Sequence, residues 1–318
     1  MKKQIYKSLL FSIPIFLFIS YITIVDPYEF INLVHIISAD KKLKVLNRND
    51  ESGPRGNLLW KLVHYKRNPV ENVLFGDSQC RAIEESQLDS LTGEDWFNFC
   101  IPGASYETIF DNFWFCAEKV KLKKVYMEVS FMNYNGFRSY NISNLGTDYM
   151  DKPYLYFARK EILFDSWINM RYAISGNQYL VINSHELAPA YEMDILANER
   201  MDLFFESYEY PDSIFAGLTE IANYCDHNNI ELVFIIMPTY KALGTHLREI
   251  GLWEPYMRFK RDIASLGKLI DYDSGLTISE ERQNFTDFFH PRKYLLDEIT
   301  DEIWGEKPLR EGVKTHGF

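Results

Sequence analysis

Val70-Glu71-Asn72-Val73-Leu74-Phe75-Gly76-Asp77-Ser78-Gln79-Cys80 is the stretch whose reading decides the fold. A short apolar run bounded by turn-forming residues has the pattern of a buried strand in a parallel sheet. The polar segment Arg81 to Gln87 that follows has helical character. Gly76 is expected to relax the backbone where the strand turns, which places Ser78 at the strand's carboxyl end. Open α/β sheets put their ligands there. A serine whose backbone N–H also opens a helix combines a nucleophile with one anion donor.

Working outward from Val70, strand and helix patterns alternate. Trp96 to Ile101 is a second strand, ending in Pro102-Gly103-Ala104-Ser105, and Ser105 is a suitable N-cap for a helix from Tyr106 to about Val120. Lys124 to Phe131 is a third strand, running into Met132-Asn133-Tyr134-Asn135-Gly136. Residues 137–200, rich in Tyr, Asn and Ser, break the rhythm and read as an insertion, helical around Lys160 to Tyr172. The alternation resumes with a helix from Ser213 to Asn228, a strand from Ile230 to Met237, a helix from Glu254 to Ser265 and a short strand from Lys268 to Tyr272. Pro291, after the loop Thr286-Asp287-Phe288-Phe289-His290, suits the first turn of a last helix through Trp304. Such alternation predicts an α/β fold: a three-layer α/β/α sandwich over residues 70–304, with a mostly parallel sheet of about five strands. Residues 305–318 read as a polar, frayed tail.

The amino end has a different character. Met1 to Lys7 is basic, and Ser8 to Val25 carries no charge. These residues would span roughly 27 Å as a helix, near the thickness of a bilayer's hydrocarbon. An N-terminal transmembrane helix over residues 1–27 is therefore expected, with residues 28–69 as a stem and the remaining chain on the extracytoplasmic side of the cell membrane. A cleaved signal peptide is the rival reading, but no small-x-small cleavage site follows the run. Lys41, Lys42, Lys44 and Arg48 beyond the anchor pull against that orientation.

Composition narrows the function class. The 318 residues carry a formal charge of −11, with no basic stripe to offset it, which argues against a nucleic-acid partner. Cys80, Cys100, Cys116 and Cys225 match no zinc pattern and include no Cys-x-x-Cys, so no metal site is expected and buried thiols are the default. A disulfide among them cannot be derived from spacing.

Three loops fall at the carboxyl ends of neighbouring strands, carrying Ser78, Gly103 and Asn133-Tyr134-Asn135, while Asp287 and His290 precede the last helix. Acyl transfer from an ester needs a nucleophile, a base, an orienter for the base, and donors for the oxyanion. Ser78, His290 and Asp287 supply the first three. The backbone N–H groups of Ser78 and Gly103, with a side-chain amide from Asn133 or Asn135, supply the donors. Each of these residues has a plainer reading: Ser78 as a helix cap, Gly103 as a turn glycine, the asparagines as loop residues, His290 as a solvated histidine. Their order, and their placement at strand ends, favours the catalytic one.

This set resembles the SGNH (GDSL-like) hydrolase superfamily, over roughly Val70 to Trp304. The resemblance rests on Ser78 in Gly-Asp-Ser-Gln, Gly103 in the second block, an Asn after the third strand, and Asp287-x-x-His290. It implies a flavodoxin-like fold, a Ser78-His290-Asp287 triad, an oxyanion hole of Ser78, Gly103 and Asn133, and no cofactor. Asn133 is preferred to Asn135 as nearer the strand end. The third block lacks the family's usual Gly-x-Asn-Asp, and Gln79 stands where many secreted esterases carry a small or hydrophobic residue. With its anchor, the layout is similar to the branch that esterifies or de-esterifies envelope polymers, such as the teichoic acid D-alanyl transfer and alginate O-acetylation proteins. The expected partners are an acylated polysaccharide or other envelope polymer and a membrane-bound acyl donor. A non-catalytic docking component and a general small-ester esterase are the alternatives.

Overall fold

The computed structural model describes residues 2–46, 53–138, 140–181, 201, 203–205 and 207–317. The chain divides into two compact units, one of Met1–His64 with Asn144–Leu187 and the other of Tyr65–Ser143 with Ala188–Phe318.

The second unit holds the sheet. Its strands are β1 (Asn72–Gly76), β2 (Trp96–Cys100), β3 (Lys124–Glu128), β4 (Glu231–Ile236), β5 (Lys268–Asp271) and β6 (Lys314–His316), in the order β2-β1-β3-β4-β5-β6. The first five run parallel and β6 is antiparallel to β5. The α/β class and the mostly parallel sheet are as expected, and the sheet holds six strands among the described residues where about five are expected. The sixth comes from the segment read as a frayed tail. Lys314, Thr315 and His316 pair with Asp271, Ile270 and Leu269 and are exposed on both faces, so no apolar alternation marks them as a strand.

Every residue of β1 is buried, as a strand covered on both faces should be. Leu74 faces a cluster with Trp96, Val233, Ile235 and Ile270, covered by Leu88 of the helix Glu85–Thr92 and by Leu295, Ile299 and Trp304 of the helix Lys293–Trp304. Trp96 meets the Tyr126 and Trp304 rings edge-on at 5.2 and 6.0 Å. Phe75 points the other way, stacked on Phe99 at 6.1 Å and edge-on to Phe113 of the helix Tyr106–Ala117 at 5.8 Å. Each such buried side chain contributes roughly 1.5–3 kcal/mol, enough to fix which face each residue takes. The arrangement is that of a three-layer sandwich. Order reverses between β1 and β3, so the groove at their carboxyl ends is the switch point where such folds place ligands.

Two local expectations are corrected here. No helix starts at Ser78: residues 77–82 bend and turn, and the helix begins at Glu85, so a helix dipole does not act at the serine. Gly76 is not needed for an unusual φ. A Cβ there would lie 2.5 Å from Cys80 Sγ and 2.7 Å from Glu128 Oε2, so the glycine is set by close approach. Ser105 does cap its helix, accepting from the Thr108 N–H at 3.4 Å.

In the first unit, the N-terminal helix is continuous over Lys2–Val25 despite Pro14. The last turn of the expected span is not left for lipid. Ile22 and Val25 are fully buried, Ile22 within a cluster that includes Tyr28, Trp60, Val63 and Tyr156. The uncovered apolar residues run mainly from Leu10 to Ile19, with Phe11 81% and Phe16 70% exposed, and include Ile24 in the last turn. Among the described residues, no helix is long and apolar enough to cross a membrane. Asp26, at the helix end, is buried and accepts from Tyr156 Oη at 2.7 Å and from the N–H groups of Ile31 and Asn32. Arg55 pairs with Asp165 at 2.8 Å, and Tyr28 Oη donates to the same carboxylate. Within the expected insertion over residues 137–200, the helix Lys160–Ser175 matches the expected helicity, shorter helices cover Asn144–Asp151 and Leu155–Ala158, and residues 182–200 lie outside the described residues.

Candidate active site

Ser78 follows the end of β1 by two residues and is only half-buried. Its Oγ lies 2.8 Å from His290 Nε2. His290 Nδ1 lies 2.8 Å from both carboxylate oxygens of Asp287. The residues come together across a sequence separation of 212 because both loops open on the carboxyl edge of the sheet.

The Asp287 turn is built locally. Asp287 Oδ1 accepts from the N–H groups of Phe289 and His290, at 2.8 and 2.9 Å, which tucks the carboxylate under the imidazole. Thr286 N–H donates to the His290 carbonyl, and Arg282 donates to the carbonyls of Phe285 and Thr286, closing the loop. Burial alone would raise the Asp287 pKa. The charge of His290, its hydrogen bond and the two backbone donors outweigh burial and hold the carboxyl down at about 2. An ionised Asp287 keeps the proton on His290 Nδ1 and leaves Nε2 free to accept from Ser78.

Asp77, the middle residue of Gly-Asp-Ser, is buried and organises the donors. Its Oδ1 accepts from Gln79 N–H at 2.8 Å, and its Oδ2 accepts from Asn133 Nδ2 at 2.8 Å and from Ser130 Oγ at 3.1 Å. Its own N–H donates to Glu128 Oε2 at 2.8 Å. Burial raises the pKa of both acids, and raises Glu128 well above its ordinary value with help from the neighbouring Asp77 charge.

The two asparagines separate cleanly. Asn133 sits in the site, bound to Asp77 and, at 3.2 Å, to the Ala104 carbonyl. Asn135 is buried in structure: its Oδ1 accepts from Phe137 and Glu209 N–H, and its Nδ2 donates to the Phe204 carbonyl. Gly103 has φ +72°, where a glycine is favoured, and its carbonyl accepts from Tyr140 Oη at 2.9 Å. Among the described residues, the backbone N–H groups of Ser78 and Gly103 have no hydrogen-bond partner. Both Asn133 amide hydrogens are engaged at rest, so its donation to an oxyanion requires release of the longer bond to Ala104.

A disulfide joins Cys80 to Cys100, with Cα atoms 6.0 Å apart. It ties the chain two residues after Ser78 to the end of β2, three residues before Gly103. Cys116 and Cys225 are buried free thiols. Sequence reasoning left the pairing open and passed over Asp77, Glu128, Ser130 and Tyr140. The available signal was Glu128, a carboxylate ending an otherwise strand-like run, Lys124-Val125-Tyr126-Met127-Glu128. No group of side chains suited to a metal ion occurs among the described residues.

No known protein-family profile matches the chain, and no curated protein matches it. Among solved structures, a protein from Streptococcus pneumonia described as a "putative platelet activating factor" is similar at 12% identity. The match covers 78% of this chain and 91% of that one, with a TM-score of 0.40.

Proposed function

We propose that the protein is a serine esterase or O-acyltransferase of the SGNH kind, acting on an ester-modified envelope glycan. The observation that carries this reading is the continuous line from Ser78 Oγ through the His290 ring to the Asp287 carboxylate, with 2.8 Å at each step. In the reaction, Ser78 Oγ attacks the ester carbonyl as His290 Nε2 takes its proton. The tetrahedral oxyanion meets the N–H groups of Ser78 and Gly103 and the amide of Asn133. His290 then returns the proton to the departing alkoxide, leaving an acyl-serine. A water or an acceptor hydroxyl, deprotonated by His290, releases the acyl group. No cofactor is needed for any of these steps.

The extracytoplasmic side of the cell membrane is the proposed location. The exposed apolar residues Leu10 to Ile19, preceded by Lys2, Lys3 and Lys7, suit an N-terminal membrane anchor whose final turn is held by the first unit. A structural disulfide is also more at home in an oxidising compartment than in the cytosol. An acylated envelope polymer and a membrane-bound acyl donor are the proposed partners. Treatment with a fluorophosphonate followed by mass spectrometry tests the central claim. The adduct is expected on Ser78 and absent from His290→Ala; labelling elsewhere, or labelling that survives loss of His290, would sink it.

A further inference from the structure

Arg138 stands out on the rim of the site. It ends the 3-10 turn Gly136–Arg138 that follows β3, and its guanidinium lies 4.3 Å over the Phe204 ring. Phe204 in turn meets Phe289 edge-on at 5.6 Å, and Phe289 is the neighbour of His290 that donates its N–H to Asp287. Two residues beyond Arg138, Tyr140 reaches the other side of the site. Its hydroxyl donates to the Gly103 carbonyl, and its own carbonyl accepts from Ser105 Oγ. The segment holding Arg138 is therefore strung between the oxyanion loop and the histidine loop.

Cations of this unit differ in their partners: Arg248, like Arg138, stacks on an aromatic ring and donates to a backbone carbonyl. Lys124, Lys260, Lys293 and Arg310 each pair with a carboxylate. Arg138 has no carboxylate partner among the described residues, in a chain with 45 acidic side chains. Its one hydrogen bond goes from Nη1 to the Leu203 carbonyl at 3.0 Å, leaving Nε and Nη2 to spare among the described residues. Partial burial lowers its pKa, and Tyr140 opposes that only in part. A partly desolvated guanidinium is unfavourable unless an anion meets it, and stacking on Phe204 holds the fork in one orientation.

We infer that Arg138 receives an anionic group of the substrate, a carboxylate or phosphate borne close to the acylated hydroxyl. The ester-cleaving reading of the site is assumed here, and the inference adds the substrate's charge to it. A planar guanidinium with two free donor positions matches the paired oxygens of either group. Arg138 is in this sense a specificity residue: it holds the charged unit while Ser78 acts on the ester.

Three probes separate the possibilities: O-acetylated oligogalacturonate, O-acetyl glycerol phosphate, and a neutral O-acetylated xylo-oligosaccharide. The wild-type protein is expected to favour one anionic probe over the neutral one in kcat/KM, and which one it favours tells carboxylate from phosphate. Arg138→Gln, which can still donate to Leu203, is expected to reduce that preference by about ten-fold or more, chiefly through KM. Arg138→Lys should recover part of the preference, and added salt should erode it in the wild type but not in Arg138→Gln. Equal losses on charged and neutral probes would assign Arg138 to holding Phe204 and overturn the inference, as would a wild type with no anionic preference. Calorimetry with Ser78→Ala and the two anionic compounds lacking acetyl groups separates this inference from the catalytic reading. Binding that depends on Arg138, together with a wild type that cleaves no ester, would refute catalysis alone. Ester cleavage with binding indifferent to Arg138 would refute this inference alone.

Discussion

Replacing Asp77 by Asn tests whether this carboxylate is what aims Asn133. The Asn side chain keeps the size of Asp77, and its carbonyl oxygen can still accept from Gln79 N–H, so the Ser78 turn should hold. Its amide group would then face Asn133 Nδ2 at the position of Oδ2, donor against donor, at 2.8 Å in the present geometry. Ser130 can rotate its hydroxyl to accept, but Asn133 can relieve the clash only by turning its own amide over. That turn points the amide oxygen where an oxyanion donor is needed. Loss of one such donor costs about 3 kcal/mol in the barrier, a 10²–10³-fold fall in kcat. KM should change little, because the lost interaction forms in the transition state. Stability should change far less than the rate. A charge-assisted bond of about 1.5–3 kcal/mol is lost, but so is the burden of burying an ionised Asp77, which already raises its pKa. Steady-state kinetics on 4-nitrophenyl acetate, with thermal unfolding alongside, reads both quantities. An Asp77→Asn protein within about three-fold of the wild-type kcat would refute the reasoning and remove Asn133 from the oxyanion hole.

Other outcomes follow from the same geometry. Ser78→Ala and His290→Ala should each abolish nearly all turnover, and the double variant should be little worse than either, since they act as one unit. Asp287 has a depressed folded pKa, so its contribution, on the order of 2 kcal/mol, is present above the unfolded value of about 3.9 and is lost as pH falls toward 2. Thermal unfolding of wild type and Asp287→Asn should therefore converge in acid, and curves that stay parallel would contradict this. Glu128 has a raised folded pKa, so any stability it lends is complete below the unfolded value of about 4.3 and fades as pH rises through the folded one. Glu128→Gln should accordingly lose less Tm than the wild type as pH rises above about 4.3, and an identical slope would argue against a raised Glu128 pKa. Removing the Cys80–Cys100 disulfide by the double Ser replacement closes no loop across 20 residues and should cost about 2–4 kcal/mol. Chemical denaturation measures that cost, and reductant should affect the wild type alone.

The sequence by itself determined the sheet's parallel strands and pointed to the three residues, Ser78, His290 and Asp287, that hydrogen bonds join in the fold. Buried parallel strands are continuous apolar runs, and Val73-Leu74-Phe75 and Leu232 to Ile236 show them without any long-range information. Ser78, Asp287 and His290 were legible because each sits beside a local signal, a strand end or a turn before a helix. What only the tertiary structure decided lies between segments. The sixth strand has no apolar face, since its stabilisation is backbone pairing to an edge that the sequence cannot reveal. The burial of Ile22 and Val25 removes a turn from the apparent membrane span, because hydropathy counts a residue as apolar whether protein or lipid covers it. Asn133 and Asn135, two residues apart and alike in composition, part only when their neighbours are in place: one meets a buried carboxylate, the other a backbone turn. The disulfide and the Asp77–Glu128 pair are of the same kind. Their physics is burial and proximity, which belong to the fold and not to any stretch of chain.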